Sequence, residues 1–361
     1  MFNKNNYVVI LAGGIGSRFW PKSRLKTPKQ FLDILGVGKS LIQITYERVR
    51  KFCLAENIFV ITHHSYIKDV KQHLTELQDA NIIQEPYRKN TAASAIYSTH
   101  KINALNPNAN IMICPADHLI LNEDIFTDIV NKAFKFSKEN DAIITLGVEP
   151  IRPDTGYGYI QYFQDELDIP IRKVKLFTEK PNLEIAKSFL KSGDFLWNAG
   201  IFFWNVQIIL PLFQKYLPEV DEPFRRIKEH YNTSTEVDNM EMIYMQCPSI
   251  SIDHGLLEKA QNVYVIPSSF GWSDLGTWES AYENSEKDYL GNAVQGKNVV
   301  VFDTSESIIH CKDEKLVVVQ GLNKYIIIDT EEILLICERS NEQQIKNYVA
   351  EIKRLKGDKF S

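Results

Sequence analysis

The alternation of strand-like and helix-like segments in the first half of the chain restricts its fold more than any other feature. Short, almost continuously apolar runs are followed by longer amphipathic segments near residues 41–53, 65–78, 91–105 and 124–139. We predict strands in the apolar runs at residues 7–11, 58–62, 81–84, 111–114 and 142–147. Strands that are apolar on both faces and alternate with helices form a doubly wound, mostly parallel sheet. The sequence therefore predicts an α/β fold.

The pattern changes twice in the second half of the chain. Residues 150–288 continue with strand and helix signals, and we interpret them as a substrate-binding insertion built on the same sheet. Residues 298–338 contain short apolar runs separated by turn-like residues, which predicts a small all-β unit, either a meander or a few coils of β-helix. The tail at 341–357 has the apolar spacing of an amphipathic helix. We predict a catalytic domain at 1–288 and a β unit with a terminal helix at 289–361.

Composition excludes several classes of function. The 361 residues contain 41 Lys and Arg against 46 Asp and Glu, a net charge of −5, which argues against general nucleic-acid binding. No apolar run approaches the ~20 residues that a membrane helix needs, so we expect no membrane partner. The 5 cysteines never form a CxxC pair, which argues against structural zinc and a disulfide framework. The N-terminus enters a strand without a signal-peptide pattern, and we expect a cytoplasmic protein.

A basic, glycine-rich turn directly follows the first predicted strand, in LAGGIGSRFWPKSRLKTPKQF at residues 11–31. Its glycines are Gly13, Gly14 and Gly16. Its cations, without any acidic residue among them, are Arg18, Lys22, Arg24, Lys26 and Lys29. Glycines permit close approach of backbone N–H groups to an anion, and Lys and Arg add charge-assisted hydrogen bonds. The turn therefore predicts a site for a nucleoside triphosphate, although a simple strand-to-helix connection stays an alternative.

Two common nucleotide motifs do not fit this turn. It lacks the GK[ST] of a Walker A loop and is not a clean GxGxxG. Pro21 and Pro28 prevent a regular helix through residues 20–28. The same prolines disfavour an NAD-linked oxidoreductase, whose dinucleotide motif needs a helix directly after the glycines.

Taken with later segments, the turn resembles the signature of the mannose-1-phosphate guanylyltransferase family. The matching segments, in order, are GGIGSRFWPKSRLKTPKQF, EPYRKNTA, PADHLI, GYGYI, FTEKP, WNAGIFFW, SIDHGLLEK and WSDLGTW. The resemblance covers about residues 7–290. It implies a nucleotidyltransferase-type domain followed by a short left-handed β-helix. It also implies GTP and mannose 1-phosphate as substrates and Mg²⁺ as cofactor.

The resemblance implies roles for three sets of residues. Those implied to act on the reacting phosphates are Arg18, Lys29, Asp117, Lys180 and Asp274. Those implied to bind the nucleotide are Leu11, Ala12, Gly13, Gly14, Gly16, Ser17, Glu85, Asn90 and Thr91. Those implied to face the sugar are Gly158, Glu179, Asn198 and Asp253. Within these sets, Asp117 and Asp274 are implied to hold one Mg²⁺. Glu85 is placed to accept the N1–H and N2–H donors of guanine.

Two segments depart from the family pattern. Residues 89–93 read KNTAA where the usual form is closer to RNTAP, and Lys89 cannot offer the bidentate fork of Arg. In the first motif, Phe19 and Lys22 stand where leucines are commoner. Nucleotide affinity or choice is the property that these departures affect.

Alternatives remain at this point. Another sugar-1-phosphate nucleotidylyltransferase would keep the reaction and change the sugar or the base. A catalytically silent regulatory subunit that binds a nucleotide sugar belongs to another class, and the intact Arg18, Lys29, Asp117 and Asp274 count against it. We also expect a homodimer.

Overall fold

The structure is a computed structural model that describes residues 2–164 and 170–360. Its helices are α1 (Leu41–Val49), α2 (Ile67–His73), α3 (Asn90–Leu105), α4 (Glu123–Glu139), α5 (Leu183–Ser192), α6 (Val206–Tyr216), α7 (Pro218–Arg226), α8 (Glu236–Gln246), α9 (Trp278–Glu283) and α10 (Ile345–Lys356). The strands of the first 275 residues are β1 (Asn6–Leu11), β2 (Ile58–His63), β3 (Ile82–Glu85), β4 (Asn110–Pro115), β5 (Leu119–Ile120), β6 (Ile143–Val148), β7 (Tyr159–Tyr162), β8 (Arg172–Thr178), β9 (Phe195–Asn205), β10 (Val263–Ser268) and β11 (Trp272–Ser273). The later strands are β12 (Ala293–Gln295), β13 (Val299–Phe302), β14 (Ile308–His310), β15 (Val317–Gln320), β16 (Tyr325–Asp329) and β17 (Leu334–Glu338).

Packing divides the chain into two compact units. The first unit comprises Met1–Gly13, Tyr46–Ala116 and Ile120–Trp272. The second unit comprises Gly14–Thr45, Asp117–Leu119 and Ser273–Ser361. Each unit therefore draws on separate stretches of sequence. The boundary near residue 289, which follows sequence order, stays a prediction.

A nine-stranded sheet forms the centre of the first unit, in the order β3-β2-β1-β4-β9-β6-β10-β8-β7. The run from β3 to β4 is parallel, and β10 is parallel to β6. This confirms the predicted α/β class. Antiparallel pairs enter where β9 lies between β4 and β6 and where β8 joins β10. The insertion thus extends the main sheet, as predicted, and β7 pairs with both β8 and β9.

The strands at the centre of this sheet are apolar because both of their faces are covered. In β1, Asn6 to Ile10 are all buried. Helix α3 is buried along most of its length, and α4 buries one apolar stripe that includes Phe126, Val130 and Phe134. Helix α7 begins at Pro218, because proline is favoured in the first turn of a helix. Helix α8 was not predicted.

The second unit contains the all-β segment and the terminal helix. Strands β12, β14 and β16 pair in parallel, with Ala293 opposite Ile308 and Ile308 opposite Ile326. Strands β13 and β15 pair in parallel in a separate sheet. Since successive strands alternate between two sheets, the chain winds in coils, and the β-helix alternative is correct rather than the meander. Only the last pair, β16 with β17, is an antiparallel hairpin.

The core of the second unit joins the glycine-rich turn to the β-helix. Phe19 and Trp20 are buried with Trp278, Ile308 and Ile345 in one apolar cluster. The Phe19 and Trp278 rings lie 4.9 Å apart, and the Trp278 indole N–H donates to the Trp20 carbonyl at 3.1 Å. The amphipathic tail is helical, as predicted, and buries Ile345 against this cluster. The turn is therefore fixed by side-chain packing as well as by its own backbone.

Candidate functional site

Lys29 is the centre of a polar cluster in the second unit. Its side chain is only 4% exposed, and its Nζ lies 2.8 Å from the Asp117 carboxylate. The same Nζ donates to the backbone carbonyl of Asp274 at 2.7 Å. Burial alone would raise the pKa of Asp117, but the Lys29 charge overcomes this and holds that pKa below its ordinary value. Lys29 of the basic turn thus contacts two aspartates that are remote in sequence, while the roles implied for these three residues stay predictions.

The backbone around Lys29 explains one of the glycines. Gly16 has a φ of +71°, and a Cβ atom there would lie 2.5 Å from the Lys29 Cβ. The Ile15 carbonyl accepts from the Lys29 N–H at 3.1 Å and from the Ser23 hydroxyl at 2.5 Å. Gly14, by contrast, has no neighbouring atom within 4 Å of a Cβ position. Gly16 is therefore needed to seat Lys29, whereas Gly14 leaves open space.

The five cations of the turn do not form one cationic surface. Lys22 bonds to Gln295 and His310, and Arg24 pairs with Glu332 at 2.7 Å, all within the second unit. Arg18 and Lys26 are exposed and have no hydrogen bond or ion pair with the residues that the structure describes. Ser17 is exposed beside Arg18 in the same 3-10 turn. Lys22 and Arg24, which are not among the residues implied to bind the triphosphate, are thus bonded within the second unit.

Glu85 ends β3 as a buried carboxylate in the first unit. The Ser94 and Tyr244 hydroxyls donate to its Oε1 at 2.6 and 2.8 Å. Burial raises the pKa of Glu85 to about 6, although both hydrogen bonds oppose the rise. A Cβ atom on Gly13 would lie 3.2 Å from Glu85 Oε2, so the glycine backbone passes close to that oxygen. The Gly13 backbone and the Glu85 carboxylate are therefore neighbours within the first unit.

The remaining residues of the predicted nucleotide set lie at strand and helix ends. Ala12 follows Leu11 at the end of β1, and its carbonyl accepts from the Thr62 hydroxyl at 2.8 Å. Asn90 begins α3 with a φ of +65°. The Thr91 hydroxyl accepts from the Ile252 N–H at 2.9 Å, so it joins two segments of this unit. Its O–H proton remains a donor.

A second polar group in the first unit contains the predicted sugar residues. Asn198 donates to Asp253 at 3.0 Å, and its N–H donates to the Gly158 carbonyl at 2.8 Å. A Cβ on Gly158 would lie 2.5 Å from Glu179 Oε2, so the Glu179 carboxylate passes close to the Gly158 backbone. Glu179 also pairs with the exposed Lys180 ammonium. Burial, reinforced by the Glu179 charge, raises the pKa of Asp253 to about 7. The structure thus brings all four predicted sugar residues and Lys180 together.

Two residues of these groups were not predicted. Arg88 donates to the Gly13 carbonyl at 3.3 Å and to the Tyr66 hydroxyl at 2.6 Å, and its guanidinium lies over the Tyr66 ring. Thr145 donates to Asn198 Oδ1 at 2.9 Å and orients that amide. Arg88 belongs to the family-like segment EPYRKNTA and precedes Lys89, where the sequence departs from the family pattern. Its place in that segment was the signal that could have identified it. Thr145 lies inside an apolar strand, and no motif or spacing in the sequence pointed to it.

The carboxylates near Lys29 decide whether this cluster could hold a metal ion. Within residues 2–164 and 170–360, no group of three or more His, Cys, Asp or Glu side chains is placed to hold a metal ion. Mg²⁺, however, binds through one or two carboxylates plus substrate phosphates and water. Asp117 contacts Lys29 through its carboxylate and Asp274 through its backbone carbonyl, while the Asp274 carboxylate accepts from the Gly276 N–H at 2.9 Å. The residues around Lys29 thus offer two carboxylates, a donor number that fits Mg²⁺. No α-helix in the described part of the chain has the length and apolar character to span a bilayer.

Comparisons with known proteins identify the family of the chain. A family model for nucleotidyl transferases matches residues 7–290, and a mannose-phosphate isomerase/GMP-like β-helix model matches 297–352. A mannose-1-phosphate guanylyltransferase of Salmonella montevideo is 34% identical over 96% of this chain and 73% of its own length. One from Escherichia coli is 31% identical over 94% of this chain and 74% of its own.

Solved structures support the same assignment. A crystal structure from Thermus thermophilus, described as a mannose-1-phosphate geranyltransferase, superposes with a TM-score of 0.86 at 26% identity. It covers 97% of this chain, and the match covers 99% of that protein. The matched segments contain the Lys29, Glu85 and Asp253 groups described above. The chain therefore belongs to the nucleotidyl transferase family, among the mannose-1-phosphate guanylyltransferases.

Proposed function

We propose that the protein transfers a guanylyl group from GTP to α-D-mannose 1-phosphate, giving GDP-mannose and pyrophosphate. A phosphate oxygen of the sugar phosphate forms a bond to the α-phosphorus of GTP, and the bond from that phosphorus to the bridging oxygen of pyrophosphate breaks. The nucleophile is already ionised at neutral pH, so the reaction needs no general base. The barrier is repulsion between two anions, which positioning and electrostatic stabilisation reduce.

The contact of Lys29 with both aspartates is the observation that supports this proposal most directly. A buried ammonium held by a carboxylate and a carbonyl is preorganised to meet developing negative charge on phosphate. Arg18, which is exposed and has no partner among the described residues, is the cation available to the triphosphate. Mg²⁺, when bound by Asp117 and Asp274, would supply charge neutralisation at the α-phosphate.

The two polar groups of the first unit have the chemistry to select substrates. Glu85 can accept the two adjacent N–H donors of guanine, which adenine does not present. Sugar hydroxyls can donate to the Asp253 and Glu179 carboxylates and can bond to the Asn198 amide. Sites that hydrogen-bond a substrate hydroxyl discriminate strongly against analogues that lack it. Lys180 is the cation of this group available to the sugar phosphate.

The proposal also includes a cytoplasmic location. All five cysteines are free thiols, and three of them are buried, which is consistent with a reducing compartment such as the cytoplasm. A homodimer stays a prediction from the sequence.

Pyrophosphate release from the purified chain tests the proposed reaction. GTP, ATP, CTP, UTP and dTTP should each be combined with mannose 1-phosphate and with glucose 1-phosphate, with and without Mg²⁺. We expect the highest kcat/KM for GTP with mannose 1-phosphate and no turnover without the metal. A preference for another nucleotide or sugar would replace the substrate assignment. Nucleotide-sugar binding without any turnover would indicate a regulatory subunit.

A further inference from the structure

Lys22 is a lysine of the signature turn whose charge lies inside the second unit. Its Nζ is 2.9 Å from His310 Nδ1 and 3.1 Å from Gln295 Oε1. Burial lowers the pKa of Lys22 to about 8, although the negative charge of Asp33 opposes the shift. The same contacts leave little of this ammonium available to a phosphate. Lys22 therefore requires an explanation other than nucleotide binding.

Both acceptors belong to the first coils of the β-helix. Gln295 ends β12 and His310 ends β14, and the two residues are partners in the register of these parallel strands. Burial and the Lys22 charge hold the pKa of His310 well below its ordinary value, so the ring is neutral and Nδ1 can accept. The His310 ring also packs edge-on against Trp278 at 5.2 Å. The acceptors are thus fixed by strand pairing and by a buried aromatic ring.

Hydrogen bonds within the turn connect Lys22 to the residues around Lys29. Ser23, directly after Lys22, donates its hydroxyl to the Ile15 carbonyl, and the Lys29 N–H donates to the same oxygen. Ser23 N–H also donates to the Phe19 carbonyl at 3.0 Å, which closes the segment that contains Arg18. Displacement of Lys22 therefore moves backbone groups that set the positions of both Arg18 and Lys29.

Stability alone gives little reason for a lysine at this position. Moving an ammonium out of water costs several kcal/mol, and a well-packed apolar side chain of similar volume is often neutral or stabilising in its place. An apolar side chain would, however, lack the directional bonds that fix one register. A buried polar contact of this kind specifies geometry more than it adds stability.

We infer that Lys22, His310 and Gln295 are positioning residues, which hold the phosphate-binding turn at residues 14–31 on the β-helix in the geometry that binds the triphosphate. This inference rests on the proposed function of the turn. It assigns the β-helix a role in nucleotide binding. The role is indirect, since none of the three residues is proposed to contact the ligand.

Lys22→Met is the variant that tests the inference, because methionine keeps most of the side-chain length and loses the donor. We expect an unfolding midpoint equal to or above that of the wild type. We expect KM for GTP to rise roughly tenfold, as the loss of a hydrogen bond to a charged group would produce. KM for mannose 1-phosphate should not change. A lower midpoint with an unchanged KM for GTP would reduce Lys22 to a structural role and overturn the inference.

A second variant and a control complete the experiment. The double variant Lys22→Met/His310→Leu should raise KM for GTP no further than Lys22→Met alone, because both changes remove one contact. A further, additive rise would overturn the pairing. Lys312→Met, which removes an exposed β-helix lysine that pairs with Glu331, should leave both the midpoint and the KM unchanged.

The dissociation constant of GTP, measured calorimetrically without sugar phosphate, separates this inference from the proposed reaction. If the wild type binds GTP but releases no pyrophosphate, the proposed reaction fails and the inference is still judged on binding. Roughly tenfold weaker binding by Lys22→Met would then support it. Equal binding by the two proteins would refute it.

Discussion

The substitution Glu85→Gln should move stability and nucleotide binding in opposite directions. Burial raises the pKa of Glu85 from an ordinary 4.5 to about 6. For an acid, a raised folded-state pKa means that the folded chain holds its proton more tightly than the unfolded chain. Stability therefore falls as pH rises from about 4.5 to about 6 and stays lower above that range. The shift corresponds to about 2 kcal/mol of unfolding free energy.

Glutamine removes this cost without removing the local hydrogen bonds. Its amide oxygen can still accept from Ser94 and Tyr244, which donate to Oε1 of the glutamate. We expect Glu85→Gln at pH 7.5 to be as stable as the wild type or more stable, by up to about 2 kcal/mol. The difference should disappear below pH 4.5. Urea unfolding followed across this pH range measures it.

Binding should change in the other direction. A carboxylate that accepts both guanine donors makes charge-assisted bonds, whose loss would raise KM for GTP roughly 10- to 100-fold. KM for ATP should hardly change, because adenine lacks the N1–H and N2–H pair. Equal losses for GTP and ATP would refute the assignment of Glu85 to the base.

Glu236→Gln provides a matched control, since Glu236 is also a buried carboxylate of the first unit. It accepts from Tyr97 at 2.7 Å and pairs with Lys101 at 2.6 Å. Its loss leaves Lys101 buried without its counter-charge, which costs about 3–5 kcal/mol. We expect this variant to be less stable and to keep the GTP-to-ATP preference of the wild type. A changed preference would show that base selection follows general loss of stability.

Three further predictions concern the other groups. Gly16→Ala should abolish most turnover, because its Cβ would collide with the Lys29 Cβ, whereas Gly38→Ala, at a glycine of similar positive φ with no atom within 4 Å of its Cβ position, should keep it; equal kcat values for the two variants would contradict the geometry. Burial raises the pKa of Asp253 to about 7, so KM for mannose 1-phosphate should change with pH around 7 in the wild type and not in Asp253→Asn; identical pH profiles would exclude Asp253 from the sugar site. Asp117→Asn should lose most Mg²⁺-dependent turnover with its circular dichroism unchanged, and near-normal turnover would exclude it as a metal ligand.

The sequence predicted the parts of the fold that depend on local pattern. The apolar runs and helical periodicity located the first strands and α3, α4 and α10 to within a few residues, because both signals follow from burial of neighbouring side chains. The β-helix remained one of two alternatives, since short strands with tight spacing do not reveal which strands pair. Parallel pairing of β12 with β14 and of β13 with β15 decided it. Long-range pairing of this kind leaves no period in the sequence.

The candidate site shows the same limit. Family motifs named Lys29, Asp117 and Asp274, and the structure brings these together, but the motifs gave no information on Arg88 or Thr145. Those two side chains orient groups of the site without belonging to a recognisable spacing. Positioning residues are defined by the atoms they contact, so a pattern of residue types along the chain does not identify them.

Charge in the signature turn illustrates why a count of cations is a poor measure of a binding surface. Of its five cations, Lys22 and Arg24 bond to side chains of the second unit, and the charge of Lys29 is neutralised by Asp117. Only Arg18 and Lys26 make neither a side-chain hydrogen bond nor an ion pair with the described residues. The field presented to a triphosphate is therefore closer to that of two exposed charges than of five, and exposed charges are screened by salt. Since so little free charge remains, the turn must act mainly through the placement of Arg18, Lys29 and its backbone N–H groups. A contact that fixes that placement, as Lys22 does with His310, then matters more to nucleotide binding than an additional exposed lysine would.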